Sequence, residues 1–432
     1  MAKRHSSRID DISSVVERLQ ELVMAHSGED TFEEIFKMLI GKIYLEAEPE
    51  PSQAERMSKD TADELLAEFN RTLGRAQRKW PGILGDEMES RLEATHLAEC
   101  LSVLSSVKLT GSDMEVLDHA FEYLVSHASK GAKGQYFTPR HVVECCIQMI
   151  DPKPGELILD PACGSGGFLF HALNHVRHAA KGNISDSDIS SHLWGVDFDL
   201  RASKVAKALM ILAGADNAHI YRINSLIKKR KQAALPGMFD AGSTLTLEDA
   251  FSVSLPHFKG FDVIVTNPPF AGEITEQETL ETYDVAVGAK RVERDVLFIE
   301  RCVELLRPGG RMAMVVPHNK VGAAGFKDVR QWLMRHTRVI SVLGLGRETF
   351  LPHTHQKTSV IICQKRRKPD EKPQPEPILF QVSCICGKDS KGRLVQRPAS
   401  SVGQSLWDRV AHDLHDVVRD FRSFQTQQNL IW

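Results

Sequence analysis

An apolar run closing on an acid, Leu157-Ile158-Leu159-Asp160, passes directly into Pro161-Ala162-Cys163-Gly164-Ser165-Gly166-Gly167 and then into the helix-forming Phe168-Leu169-Phe170-His171-Ala172-Leu173. Strand, glycine-rich turn and helix in that order are the front half of a nucleotide-binding βαβ unit, which commits the chain to a parallel α/β sheet. Glycines there allow positive φ and close approach of backbone to a ligand. One such turn alone is often only a loop. A second apolar run, Leu193-Trp194-Gly195-Val196-Asp197, puts another acid where the next parallel strand ends, a place from which a carboxylate can take the two hydroxyls of a ribose. No Lys-Ser/Thr pair follows the glycines, so the expected ligand is an adenosine without a phosphate chain.

A hundred residues on, the run Phe261-Asp262-Val263-Ile264-Val265-Thr266 ends in Asn267-Pro268-Pro269-Phe270. Taken alone this reads equally well as a strand-terminating turn. The chemical reading is sharper. Two prolines with fixed φ and no amide hydrogen hold the Asn267 side chain and the Pro268 carbonyl as two acceptors aimed at one point, which suits a planar amino group. Phe270 offers a face on which a heteroaromatic ring can stack.

In this order, 160–168 and 267–270 resemble the cofactor loop and catalytic motif of N6-adenine DNA methyltransferases, and in particular of the modification subunit of type I restriction-modification systems. Gly134-Gln135-Tyr136-Phe137-Thr138-Pro139-Arg140 resembles the family's Thr-Pro motif. Leu297-Phe298-Ile299-Glu300, Leu306-Arg307-Pro308-Gly309-Gly310-Arg311 and Gln356-Lys357-Thr358 resemble later family segments, and the likeness runs over roughly 112–432.

The resemblance implies S-adenosyl-L-methionine as cofactor and the N6 amine of an adenine flipped out of double-stranded DNA as methyl acceptor. Asn267, Pro268, Pro269 and Phe270 would be catalytic, with Asn267 also beside the cofactor. Tyr136, Phe137, Thr138 and Pro139 would lie at the cofactor's methionine end, near Asp160, Pro161, Ala162, Gly164, Ser165, Gly166 and Gly167, while Asp197 would hold the ribose. Where the family usually has an acid for the cofactor's adenine amine, this chain has Asn224 and Ser225. Lys290, Arg291 and Arg294, downstream of the catalytic motif, are placed to meet phosphates. Implied partners are a specificity subunit, two copies of this chain around it, and a restriction subunit as a further associate. Methylation of a guanine amine in ribosomal RNA or of a protein glutamine uses similar chemistry and stays open as an alternative. So does a non-catalytic scaffold that binds cofactor.

At 432 residues the chain is too long for one ordinary domain. We expect an all-helical N-terminal domain over 1–126 and a Rossmann-like doubly wound class I methyltransferase sheet over 127–366. Residues 367–432 read as a Pro-rich linker, a short strand pair and a C-terminal helix over 405–424 that presents Leu406, Val410, Leu414, Val417, Val418 and Phe421 to a partner. Thr31-Phe32-Glu33-Glu34 is a capping-box candidate, and 227–257 is a long insertion.

A net charge of −3 argues against a protein that grips DNA unaided over a long surface. The basic runs 228–231 and 365–368 read as solvated faces. No apolar run approaches the length of a membrane span, and the eight scattered cysteines form no zinc pattern, so a reducing, cytoplasmic setting without a metal is expected.

Overall fold

The computed structural model describes residues 3–26, 28–48, 61–109, 121, 124, 137–228, 246–255, 257–397, 409–430 and 432. Two compact units are present: 1–131 together with 204–216, and 132–203 together with 217–432.

In the first unit, helices cover Lys3–His26, Thr31–Ala47, Ala62–Lys79 and Ala94–Ser105. The amphipathic stripes pack inward, with Val16, Leu19, Ile35, Phe36, Ile43, Phe69 and Leu73 all buried. Glycine is needed at Gly41, where a Cβ would sit 2.8 Å from the Phe69 ring. The capping expectation shifts by one residue. Asp30 caps Thr31–Ala47, accepting from the Phe32 and Glu33 amides at 3.0 and 3.3 Å, while Glu34 is buried and paired with Lys37 at 2.5 Å. A full capping box forms instead at Thr61 and Glu64.

The second unit is built on an eight-stranded sheet: β1 (Ile158–Asp160), β2 (Leu193–Asp197), β3 (His219–Arg222), β4 (Phe261–Thr266), β7 (Leu306–Pro317), β8 (Thr337–Gly344), β9 (Thr358–Lys365) and β10 (Leu379–Val382). The order is β10-β8-β9-β7-β4-β1-β2-β3. The short β5 (Glu273–Ile274) and β6 (Val292–Glu293) form a separate antiparallel pair. Strands β1 to β4 and β7 are mutually parallel, as the βαβ pattern requires, and the helix Gly167–Ala180 follows β1. The sheet is mixed rather than wholly parallel, because β9 lies antiparallel between β7 and β8. Of the long insertion, residues 229–245 fall outside the described residues. Its end is the helix Leu247–Ser254, whose Phe251 packs edge-on against Trp194 and Phe261. Among the described residues no helix is long and apolar enough to cross a membrane.

The C-terminal stretch departs most from expectation. Instead of forming a separate strand pair, β10 adds in parallel to the sheet edge beside β8. The final helix spans Leu414–Gln427 rather than 405–424. Leu406 lies outside the described residues, and Val410 sits in an isolated bridge with Gln396. Leu414, Val417 and Phe421 are buried, Val418 is half-buried, and this helix packs on Arg140–Ile150, so this part of the stripe read as a partner surface closes the chain's own core. Polar ties hold it there. The Asp413 carboxylate accepts from the Cys384 and Ile385 amides at 2.7 and 3.1 Å, and Arg422 pairs with Asp151 at 3.3 Å.

Deleting 404–432 is therefore expected to destabilise the second unit. Each buried apolar side chain is worth about 1.5–3 kcal/mol, against a typical domain stability of roughly 5–15 kcal/mol. A soluble truncated protein with an unchanged urea midpoint would contradict this.

Candidate active site

The site lies at the carboxyl ends of β1, β2 and β4, where open parallel sheets bind ligands. Asp160 ends β1 and is 1% exposed; its carboxylate accepts the Ala162 amide at 3.1 Å. The turn that follows bends through Gly164 (φ +53°) and Gly166 (φ +89°) before the helix begins at Gly167. A Cβ at Gly167 would fall 1.8 Å from Nη1 of Arg140, so only glycine lets that guanidinium lie against the start of the helix.

Asp197 closes β2 and is tied to the same turn. It accepts the Gly164 amide at 2.9 Å and the Asp199 amide at 2.8 Å. Asp199 caps the next helix through the Ala202 amide at 2.9 Å, a duty that occupies it locally. Gly195, in the middle of β2, leaves room for the turn: a Cβ there would meet Leu169 at 2.6 Å and the Cys163 sulfur at 3.3 Å.

Burial pushes the Asp160 carboxyl up to about 7, with the neighbouring Asp197 charge adding to it. Asp197 is raised to about 6, again mainly by burial and against the pull of the amides it accepts. Two acids disfavoured as anions, at the mouth of a glycine turn, make a site that gains from an arriving cation.

The Thr-Pro segment reaches the same turn. Phe137 lies over Gly164, 3.9 Å from where a Cβ would be, Thr138 is buried, and the Pro139 carbonyl starts the helix Arg140–Ile150. Tyr136 falls outside the described residues. After β3, the loop holding Asn224 and Ser225 is firmly held: Asn224 Oδ1 accepts the Leu226 amide at 3.1 Å, and the Ser225 hydroxyl donates to the Pro161 carbonyl at 2.5 Å. Arg301 Nε donates to the Ser225 carbonyl at 2.8 Å.

Asn267, Pro268, Pro269 and Phe270 follow β4, which pairs with β1 and β7; Pro268 is buried and the other three are half-buried. The Phe270 ring meets Phe350 edge-on at 6.0 Å, and Phe350 is itself buried. The chain then makes an excursion over 273–293 whose two ends meet beside the motif, through the β5–β6 pair and the Arg294 amide donating to the Gly272 carbonyl at 3.1 Å. Lys290, Arg291 and Arg294 lie exposed on this excursion and at the start of the helix Arg294–Leu305.

The other basic runs are not bare solvated faces where they are described. Lys228 pairs with Glu300 and Glu304 at 3.2 and 2.7 Å, and Lys365 donates to the Leu306 carbonyl at 2.6 Å. Arg366 pairs with Asp370 at 3.0 Å.

Three residues at the site were missed in the sequence. Phe198, directly after Asp197, is 66% exposed, and an aromatic following a strand-end acid was a readable signal. Arg140 adjoins a motif already quoted. Phe350 carried no local signal, because only the fold brings it to Phe270. All eight cysteines are free, and among the described residues no cluster of His, Cys, Asp or Glu is placed to hold a metal ion.

The family model of the N-6 DNA methylases matches residues 112–383. The chain belongs to that family. The type I restriction enzyme EcoEI methylase subunit of Escherichia coli is 28% identical over 275 residues, covering 63% of this chain and 51% of the relative. The chain thus spans about half the length of the curated relatives it matches.

Among solved structures, a modification subunit assigned to a type I restriction enzyme of Vibrio vulnificus YJ016 superposes with a TM-score of 0.62 at 16% identity, over 98% of this chain and 91% of that one. A protein of Listeria monocytogenes assigned as a class I S-adenosylmethionine-dependent methyltransferase gives 0.55 at 16% identity, over 87% and 93%. At such identities these likenesses establish the fold alone, and it is that of the class I methyltransferases.

Proposed function

We propose that the chain transfers a methyl group from S-adenosyl-L-methionine to the N6 amine of an adenine flipped out of double-stranded DNA, as the modification subunit of a type I-like restriction-modification complex. The observation that carries the reading is that Asn267-Pro268-Pro269-Phe270 follows β4, the strand paired with β1, whose glycine turn is tied to the acid of β2. The residues present suit the cofactor. Gly164 and Gly166, at positive φ, put no side chain at those two points of the turn, Asp197 offers acceptor oxygens to a ribose, and the exposed Phe198 ring offers a face to an adenine. In this reading Arg140, whose guanidinium lies against Gly167, meets the cofactor's carboxylate and the buried Asp160 its ammonium.

When bound, S-adenosyl-L-methionine supplies a methyl group on a sulfonium that leaves as a neutral thioether. The chain's own task is alignment. The Asn267 side chain and the Pro268 carbonyl accept hydrogen bonds from the two amine hydrogens, orient the nitrogen lone pair, and stabilise positive charge as it develops there, until one of those hydrogens is lost as a proton to solvent. Phe270, braced by Phe350, stacks on the flipped base. Lys290, Arg291 and Arg294 meet the phosphates of the distorted strand. Choice of the DNA site falls to a separate specificity subunit, with two copies of this chain per complex, in a cytoplasm that keeps the thiols reduced.

Tritium transfer from labelled cofactor to adenine-containing DNA, ribosomal RNA and protein, using the complex purified from its host, tests the reading. Label in N6-methyladenine of DNA is expected. Label in guanine or glutamine instead, or no label at all, would overturn it.

The cofactor side gives two expectations. Asp197→Ala should weaken cofactor binding by roughly tenfold or more, since a hydrogen bond to a charged group is worth about 1.5–3 kcal/mol. It also removes the acceptor of the Gly164 amide, which adds to the loss. Unchanged affinity by calorimetric titration would remove Asp197 from the site.

The second expectation concerns pH. Asp160 is raised to about 7 in the folded protein, so below that pH it is largely protonated and a cationic ligand must displace its proton. Cofactor affinity should rise from pH 5 to about 7 and then level, with proton release on binding near pH 6 that is reduced in Asp160→Asn, where Asp197, raised to about 6, still titrates. Titrations in buffers of different ionisation enthalpy would show the same proton release in wild type and Asp160→Asn if Asp160 does not face the cofactor's cation.

A further inference from the structure

The helix Arg294–Leu305 carries Glu300, which is 1% exposed and takes no part in the chemistry described above. Its carboxylate accepts the backbone amides of Asp284 and Val285 at 2.9 and 2.8 Å, both on the excursion that leaves and rejoins the chain beside the catalytic motif. The same carboxylate takes the ammonium of Lys228 at 3.2 Å. Lys228 ends the described part of the loop after β3, the loop expected at the adenine end of the cofactor. Its ammonium lies 3.6 Å from the centre of the Tyr283 ring, and the Tyr283 hydroxyl returns to that loop by donating to the Leu226 carbonyl at 2.9 Å.

A buried carboxylate that fills its acceptor sites with two amides of one segment and a cation of another is costly unless all are in place. The two segments therefore hold their positions jointly. One lies on the cofactor side and the other follows the motif that receives the base.

We propose that Glu300 is a positioning residue that, through Lys228, ties the cofactor-side loop to the excursion behind the catalytic motif, so that cofactor and target DNA bind cooperatively. This rests on the function proposed above. Ordering one segment lowers the cost of ordering the other, and by linkage the effect is reciprocal.

The test measures the DNA affinity of the complex isolated from its host, with and without S-adenosylhomocysteine as unreactive cofactor analogue. Wild type is compared with Glu300→Gln and Lys228→Met. The DNA is a duplex carrying a site at which wild-type methylation has been mapped. The analogue is expected to tighten DNA binding of the wild type by about fivefold or more, the usual lower range of such couplings. In Glu300→Gln the factor should fall close to one, while affinity for the analogue without DNA stays within about twofold, a pattern that general loosening of the fold would not produce. Lys228→Met keeps a side chain of similar length beside Tyr283 and loses the charge; it should show the same loss, and it carries the test if Glu300→Gln does not fold. A wild type without coupling, or variants that retain the wild-type factor, would overturn the inference. Failure of the underlying reading shows separately, as a wild-type complex that transfers no methyl group to adenine in DNA.

Discussion

Asn267→Ala is expected to lower methyl transfer to adenine by about 100-fold or more while cofactor affinity stays within a few-fold of wild type. Removing one preorganised polar contact from the reacting group costs about that much, because the contact strengthens as charge develops in the transition state. The structure sets the mutation apart from a folding defect. Asn267 lies beyond the last residue of β4, and the strand keeps its pairing with β1 up to Ile264 and with β7 up to Thr266. Single-turnover transfer with the assembled complex, alongside calorimetric titration of the cofactor, separates chemistry from binding. Turnover near the wild-type rate would remove the two-acceptor mechanism, whatever the family.

Arg311→Met should cost about 3–5 kcal/mol of stability, the range for breaking a buried ion pair by removing one partner. Arg311 is 1% exposed on β7, and its guanidinium holds both Glu156 oxygens at 2.7 Å. It also donates to the Ile150 carbonyl at 2.7 Å and the Asp151 carbonyl at 2.8 Å. Methionine fills much of the volume but leaves two carbonyls and a carboxylate without their donor. Urea unfolding followed by circular dichroism reads the loss directly. Adding Glu156→Gln to the variant should recover part of it, since the stranded charge is then gone. A loss below about 1 kcal/mol would mean that solvent reaches the pair.

Arg311 illustrates what can be read at each level. In the sequence it is a basic residue after Pro308-Gly309-Gly310, within a segment that resembles a later segment of the family. In the structure one strand, β7, runs through it over Leu306–Pro317, with a register shift against β4 between the Leu306 and Arg311 pairs in place of a separate turn. That its side chain bridges to the segment before β1 depends on residues 155 positions away in Glu156 and 161 in Ile150. Local pattern carries no such information. The same holds for Phe350 against Phe270, and for Lys228 and Lys365, whose runs of positive charge look like solvated faces until the fold brings carboxylates and helix-end carbonyls to them.

By itself the sequence determined the parts whose signal is local: the helical stripes of the N-terminal unit, the strand–glycine turn–helix of 157–173, the acid ending β2, and the Asn-Pro-Pro-Phe motif ending β4. Periodicity, proline and glycine act through backbone dihedrals over a few residues, so they survive without knowledge of neighbours. Tertiary structure alone decided the rest. It set β9 antiparallel within the sheet, drew β10 from beyond the Pro-rich linker onto the sheet edge, and turned the C-terminal apolar stripe inward onto Arg140–Ile150. An amphipathic helix states only that one face must be buried. Which surface covers it is settled by the tertiary fold, and here that surface is the helix Arg140–Ile150 of the same chain.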